Sequence, residues 1–244
     1  MKLFVVSDVH SFYTPLMTAL EEAGFDRENK EHWLIVCGDL FDRGPESSQL
    51  LEYVMSLPRK ILVRGNHDDL FEKMCHRGYA ERHDIINGTM CTVCDLAPSA
   101  LTLTDACTTA YARTEEYRNQ LVNYFETKNY IFVHGWIPCE STSYKQDWRD
   151  ANHEEWESAR WTNGIMRAYE GVIEPDKTVV CGHWHCSFGH SLDAEGEISE
   201  FGANAKWEPW YRKGCIAIDR CTARTRKVNV LVLEDEFIST ESSG

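Results

Sequence analysis

Five separate apolar runs in this chain end in residues able to hold a cation. Leu3 to Ser7 leads to Asp8 and His10, and Trp33 to Cys37 leads to Gly38-Asp39-Leu40-Phe41-Asp42-Arg43-Gly44. Ile61 to Val63 leads into Arg64-Gly65-Asn66-His67-Asp68, Tyr130 to Val133 into His134-Gly135, and Thr178 to Cys181 into Gly182-His183-Trp184-His185. Any one of these residues alone reads as a turn former or a helix cap. Together they make a mixed imidazole and carboxylate set, which suits Mn, Fe or Zn better than Mg or Ca alone. The donors outnumber the needs of one ion. Two ions roughly 3.5–4 Å apart, the arrangement that favours in-line displacement at phosphorus, would use them all. Asp39 is the candidate carboxylate bridging the two.

Strands and helices must alternate to deliver such residues to one place. Thr14-Pro15 reads as the start of a helix, with Leu16, Ala19, Leu20 and Ala23 at helical spacing and Gly24 to stop it. Leu50, Leu51, Val54 and Met55 mark a second helix. The order strand, helix, strand, helix, strand predicts an α/β fold with a largely parallel sheet, whose ligands sit at the carboxyl ends of the strands. Between Met74 and Asn129 the periodicity fades until Thr114 to Phe125, which reads as helical. Residues 75–129 are expected to form a cap or insertion within a single domain, 1–238. Cys215 to Ile218 and Val228 to Leu233 suit a closing hairpin, and 239–244 a disordered tail.

Composition narrows the partners. The 244 residues are 43% hydrophobic, enough for one sizeable core, and carry 39 acidic against 25 basic side chains for a formal charge of -14. That balance argues against a nucleic-acid surface or an anionic-membrane surface, so any phosphate must be met by metal ions and a few arginines. Met1-Lys2-Leu3-Phe4-Val5-Val6 reaches Asp8 too soon for a signal sequence, and no apolar run has membrane length, so a cytoplasmic protein with reduced thiols is expected. Of ten cysteines, Cys37, Cys181 and Cys215 fall in strand-like runs as packing thiols. Cys91 and Cys94 form a Cys-x-x-Cys pair with Cys75 and Cys107 as candidate zinc partners. With no second close pair, free thiols are favoured.

In this order, Asp8-x-His10, Gly38-Asp39-x-x-Asp42-Arg43-Gly44, Gly65-Asn66-His67-Asp68, His134-Gly135 and Gly182-His183-x-His185 resemble the motifs of the calcineurin-like metallophosphoesterases. The Asp-Arg-Gly ending of the second motif resembles the branch holding the phosphoprotein Ser/Thr phosphatases and the bacterial diadenosine tetraphosphate hydrolases. Ile216-Ala217-Ile218-Asp219 is also similar to that branch.

The resemblance implies a four-layer α/β fold of mixed sheets flanked by helices. It implies that Asp8, His10 and His185 hold one divalent metal and that Asn66, His134 and His183 hold the other, with Asp39 between them. Manganese is expected, with Fe, Zn or Ni as alternatives. Water activated by the metals would attack phosphorus in line, His67, oriented by Asp42, would protonate the leaving alkoxide, and Arg43 would clamp phosphoryl oxygens. For the second phosphate-binding arginine usual in this branch, Arg160 is the choice, with Arg149 and Arg167 as rivals. Ser11, Asp68, Trp136 and Arg220 depart from the usual pattern, so the pocket walls are expected to differ.

The expected activity is hydrolysis of phosphomonoesters, on phosphoserine or phosphothreonine in proteins or on small esters. The alternative is hydrolysis of dinucleoside polyphosphates or another phosphodiester. A catalytically inert phosphate-binding scaffold is disfavoured, because an intact ligand set kept without metals would leave buried charge unpaired.

Overall fold

The computed structural model describes residues 1–141, 143–195 and 197–238, so the expected tail at 239–244 lies outside the described residues. The first 65 residues alternate as the sequence predicts: β1 (Lys2–Val6), α1 (Tyr13–Glu22), β2 (His32–Cys37), α2 (Ser47–Ser56) and β3 (Lys60–Val63). The three strands pair in parallel, β1 with β2 and β2 with β3. Next come the helices α3 (Asn66–Arg77), α4 (Arg82–Asn87), α5 (Thr89–Leu96), α6 (Leu103–Arg113) and α7 (Glu115–Asn119). The second half contains β4 (Leu121–Val122), β5 (Phe125–Glu126), β6 (Tyr130–Phe132), α8 (His153–Arg160), α9 (Gly164–Tyr169), β7 (Thr178–His185) and α10 (Cys186–Asp193). It closes with β8 (Trp210–Arg212), β9 (Cys215–Asp219), α11 (Thr222–Thr225) and β10 (Leu231–Glu234).

Two five-stranded mixed sheets result, in the orders β10-β1-β2-β3-β4 and β5-β6-β7-β9-β8. Period-two alternation explains how they stack. Leu3, Val5, Ile35 and Cys37 point to a core between the sheets, where they meet Phe132, Val180, Ile216 and Ile218. The intervening Phe4, Val6, Leu34 and Val36 face the helical side and pack on Leu16 and Leu20 of α1, Leu50 and Val54 of α2 and Phe71 and Met74 of α3. On the far side of the second sheet, Val179, Cys181, Cys215 and Ala217 pack against Trp156, Ile165 and Cys186. The layers run helix, sheet, sheet, helix. Among the described residues, no helix is long and apolar enough to cross a membrane.

Two expectations about elements are corrected. Cys215–Ile218 and Val228–Leu233 do not form a hairpin: β9 pairs with β7 and β8 in the second sheet, whereas β10 crosses back to pair antiparallel with β1. Apolar runs of strand length carry no record of their partner. Thr114 to Phe125 is not one helix either, since only Glu115–Asn119 is helical before two short strands. The longer helix here, α6, comprises Leu103–Arg113, whose several threonines are weak helix formers. Through Val93, Leu96, Ala106, Cys107 and Tyr117, the 82–119 stretch joins the same core as α1 and α2.

Candidate metal and phosphate site

Asp8 and His10 follow β1, Asp39 and Asp42-Arg43 follow β2, and Asn66 and His67 open α3 directly after β3. His134 follows β6, and His183 and His185 end β7. Asp8, His10, Asp39, Asp42, Arg43 and His183 all adopt positive φ, between 52° and 74°. For non-glycine residues this left-handed backbone costs energy and concentrates where a function over-determines the geometry. The bends are locked pairwise, His10 N–H donating to the Asp39 carbonyl at 3.0 Å and Ser11 N–H to the Leu40 carbonyl at 2.8 Å. Close approach requires glycine at two places: a Cβ on Gly65 would overlap Asp39, and one on Gly182 would overlap Ser7 and Asp8.

Asp39 is the centre. Its Oδ1 accepts the His67 backbone N–H at 3.0 Å, and its Oδ2 lies 3.4 Å from His134 Nε2 and 3.8 Å from both His10 Nε2 and His67 Nε2. Two donor groupings share it, Asp39 with His10 and His67, and Asp39 with His134 and His183. Burial by itself would raise the Asp39 carboxyl, but the four surrounding imidazoles, His134 first, hold it below the usual carboxylate range. Burial raises Asp8, whose Oδ1 sits 3.8 Å from His10 Nε2 while Oδ2 takes the Ser7 hydroxyl and the His183 N–H.

The donor atoms fit cations. His10 donates Nδ1–H to the Phe41 carbonyl at 2.9 Å, which leaves Nε2 as a buried lone pair with no partner. His134 likewise donates Nδ1–H to the Cys37 carbonyl at 3.0 Å, and its Nε2 lies 2.7 Å from Asn66 Oδ1. A cation beside His10 Nε2 would satisfy a buried nitrogen that has no hydrogen-bond partner. Burial holds both His10 and His183 in the neutral, ligating form, His10 well below its ordinary value and His183 down to about 3.

His67 and Asp42 form a dyad at the start of α3. Asp42 Oδ2 accepts His67 Nδ1–H at 2.7 Å, and the exposed Arg43 places Nη2 3.3 Å from His67 Nε2. Burial opposes charge on His67, yet Asp39 and Asp42 raise its pKa overall, favouring the protonated form an acid needs. Two buried hydroxyls hold Asp42 in turn: Thr89 Oγ1 donates to Oδ2 at 2.6 Å and Thr92 Oγ1 to Oδ1 at 2.9 Å. Sequence reasoning missed both threonines, which lie in the aperiodic stretch and carry only an i, i+3 spacing as a signal. Asp219, at the end of β9, is a buried carboxylate opposite His185, pushed up by burial and then by Asp8.

Other expected residues lie elsewhere. His185 falls outside both groupings. Its Nδ1 is held by Glu200 at 3.0 Å. Arg160 is not an open clamp but a buried side chain, 2% exposed, donating to Asp69 at 2.8 Å and Asn123 at 3.2 Å with Nη2 unpartnered. Asp69, in the first turn of α3, captures Arg160 from the last turn of α8. Arg149 pairs with Glu126 and Glu174, and Arg167 with Glu170. All ten cysteines are free, Cys91 and Cys94 exposed, and among the described residues no cysteine belongs to a metal-capable grouping.

The calcineurin-like phosphoesterase profile matches residues 1–187, and the chain belongs to that family. Among curated proteins it is similar to the symmetrical bis(5'-nucleosyl)-tetraphosphatases of Buchnera aphidicola subsp. Baizongia pistaciae, 39% identical over 69 residues, and Thioalkalivibrio sulfidiphilus, 42% over 69. Each match covers 28% of this chain and about a quarter of the relative's length. Its fold resembles that of a proposed diadenosine tetraphosphatase, with a TM-score of 0.52 at 18% identity, covering 98% of this chain and 94% of the other. It also resembles the cold-active protein-tyrosine phosphatase of a psychrophilic Shewanella species, with a TM-score of 0.53 at 14% identity, covering 96% and 75%.

Proposed function

We propose that this chain hydrolyses phosphoric esters and anhydrides at a two-metal centre in the cytoplasm, with dinucleoside polyphosphates as its substrate class. The observation that carries the reading is Asp39 Oδ2 set among His10, His67 and His134, where two donor groupings share one carboxylate. Asp8, His10 and Asp39 would hold one divalent cation, to which His185 can add Nε2, and Asp39, Asn66, His134 and His183 would hold the other, manganese being the favoured metal. When bound, the pair supplies Lewis-acid activation of water and neutralises phosphoryl charge. His67 supplies the proton, since Asp42 fixes Nδ1–H and leaves Nε2 beside Arg43 to serve the leaving oxygen. Arg43, exposed beside that nitrogen, holds phosphoryl oxygens.

The identity of the curated relatives favours dinucleoside polyphosphates over the phosphoprotein substrates that the motifs alone put first. The second reading, phosphomonoesters including phosphoserine and phosphothreonine, rests on the His67–Asp42 dyad, which suits a poor leaving group such as a serine alkoxide. One comparison decides: kcat/KM with added Mn on diadenosine tetraphosphate, a phosphothreonine peptide, an aryl phosphate and an aryl phosphodiester. Diadenosine tetraphosphate is expected to lead, and a phosphopeptide turned over faster installs the second reading.

A further inference from the structure

We propose that Trp161 and Phe201 are nucleobase-stacking residues at the rim of the site, an inference that rests on the dinucleoside polyphosphate reading. Both rings are large and half open, Trp161 at 49% and Phe201 at 45% exposure. Each also abuts a histidine of the last motif. The Trp161 ring centroid lies 5.8 Å from that of His183 at 88°, and the Phe201 centroid 5.2 Å from that of His185 at 72°.

The backbone that carries each ring is held by hydrogen bonds. Trp161 caps α8, its N–H donating to the Ser158 carbonyl at 3.1 Å, and the preceding Arg160 is pinned on Asp69. Phe201 follows Glu200, which holds His185, while Arg224 donates to the Phe201 carbonyl at 3.0 Å and lies 5.5 Å from its ring. A ring carried on an ordered backbone loses less conformational entropy when a ligand covers it.

Charge argues for a flat, uncharged contact. A chain of formal charge -14 repels a polyanion at long range, which puts weight on the uncharged parts of the substrate. In a nucleotide that part is the base, joined to the phosphate through one sugar. Stacking a base on an aromatic side chain is sequence-tolerant and substantial.

The test uses equilibrium binding, independent of turnover. Calorimetry with Mn present compares ADP with inorganic pyrophosphate on the wild type, Trp161→Leu and Phe201→Leu. ADP is expected to bind at least about tenfold more tightly than pyrophosphate, and each leucine variant to shrink that ratio by roughly tenfold. Trp161→Phe and Phe201→Tyr are expected to keep it. Because the comparison is a ratio within one variant, a general loss of folded protein affects both ligands alike. A wild-type ratio near one, or a ratio indifferent to both leucine variants, overturns the stacking assignment. Turnover of diadenosine tetraphosphate on the same preparations separates the two ideas. An ADP preference without turnover sinks the substrate reading and leaves stacking, whereas turnover without the preference sinks stacking alone.

Discussion

Asp39 holds the His67 backbone with one oxygen and turns the other toward three imidazoles, so its charge matters more than its shape. Asp39→Asn keeps the shape and loses the charge. It is expected to lower kcat/KM at least a hundredfold and to reduce bound metal measured by elemental analysis. Two retained metals with near-normal turnover would show that Asp39 does not bridge. The acid role proposed for His67 is tested differently, because proton donation matters most where the leaving oxygen is poor. General acid catalysis is worth roughly a hundredfold to ten-thousandfold, so His67→Asn should fall in that range on an alkyl phosphate and well below it on an aryl phosphate. Asp42→Asn should reproduce much of the loss, and the double variant should be far from additive. Equal losses on both substrates, with metal lost as well, would make His67 a ligand.

At the scale of elements, α5 joins the helical core to the loop of Asp42 and Arg43. Arg43 N–H donates to the Asn87 carbonyl at 3.1 Å, Gly88 turns at φ 83° against the Arg43 backbone, and Thr89 and Thr92 then reach Asp42. A hydrogen bond to a charged group contributes about 1.5–3 kcal/mol. Thr92→Val is therefore expected to cost roughly tenfold or more in kcat on alkyl esters and less on aryl esters, while Thr92→Ser retains activity; a serine variant as impaired as the valine one would point to packing alone. Cys91 and Cys94 lie exposed on the same helix. Replacing both with serine is expected to leave metal content unchanged, and loss of one zinc per chain would reinstate the Cys-x-x-Cys pair as a site.

At the scale of the whole molecule, one carboxylate links the two sheets. Asp235, just after β10 of the first sheet, accepts from Thr127 Oγ1 at 2.6 Å and from Asn129 N–H and Nδ2 at 2.9 and 2.7 Å in the turn between β5 and β6 of the second. Burial works against its charge, but those hydrogen bonds, Thr127 first, lower its pKa overall. A carboxyl lowered on folding contributes stability that is fully present above its unfolded value, near 3.9, and is lost as pH falls through the folded value. Asp235→Asn should lower Tm at neutral pH by several degrees and flatten the acid side of the Tm curve. A variant whose Tm falls in parallel with the wild type at all pH values would remove Asp235 from that role.

The sequence by itself determined the residues at the strand ends and the early alternation of strands and helices, because both are written locally: a run of apolar residues, then a glycine, carboxylate or imidazole at its end. Asp8, His10, Asp39, Asn66, His134 and His183 were read from their own motifs, and the structure places them close to one another around Asp39. Tertiary structure decided what depends on distant partners. It sent β10 to β1 instead of β9, gave Arg160 to Asp69 across 91 positions, turned His185 to Glu200, and brought Thr89 and Thr92 under Asp42. No local pattern encodes these pairings, since a buried arginine or a helical threonine looks the same in sequence whichever group it meets. The same holds for Trp161 and Phe201, which stand beside His183 and His185 only when α8 and the loop after α10 are folded against β7.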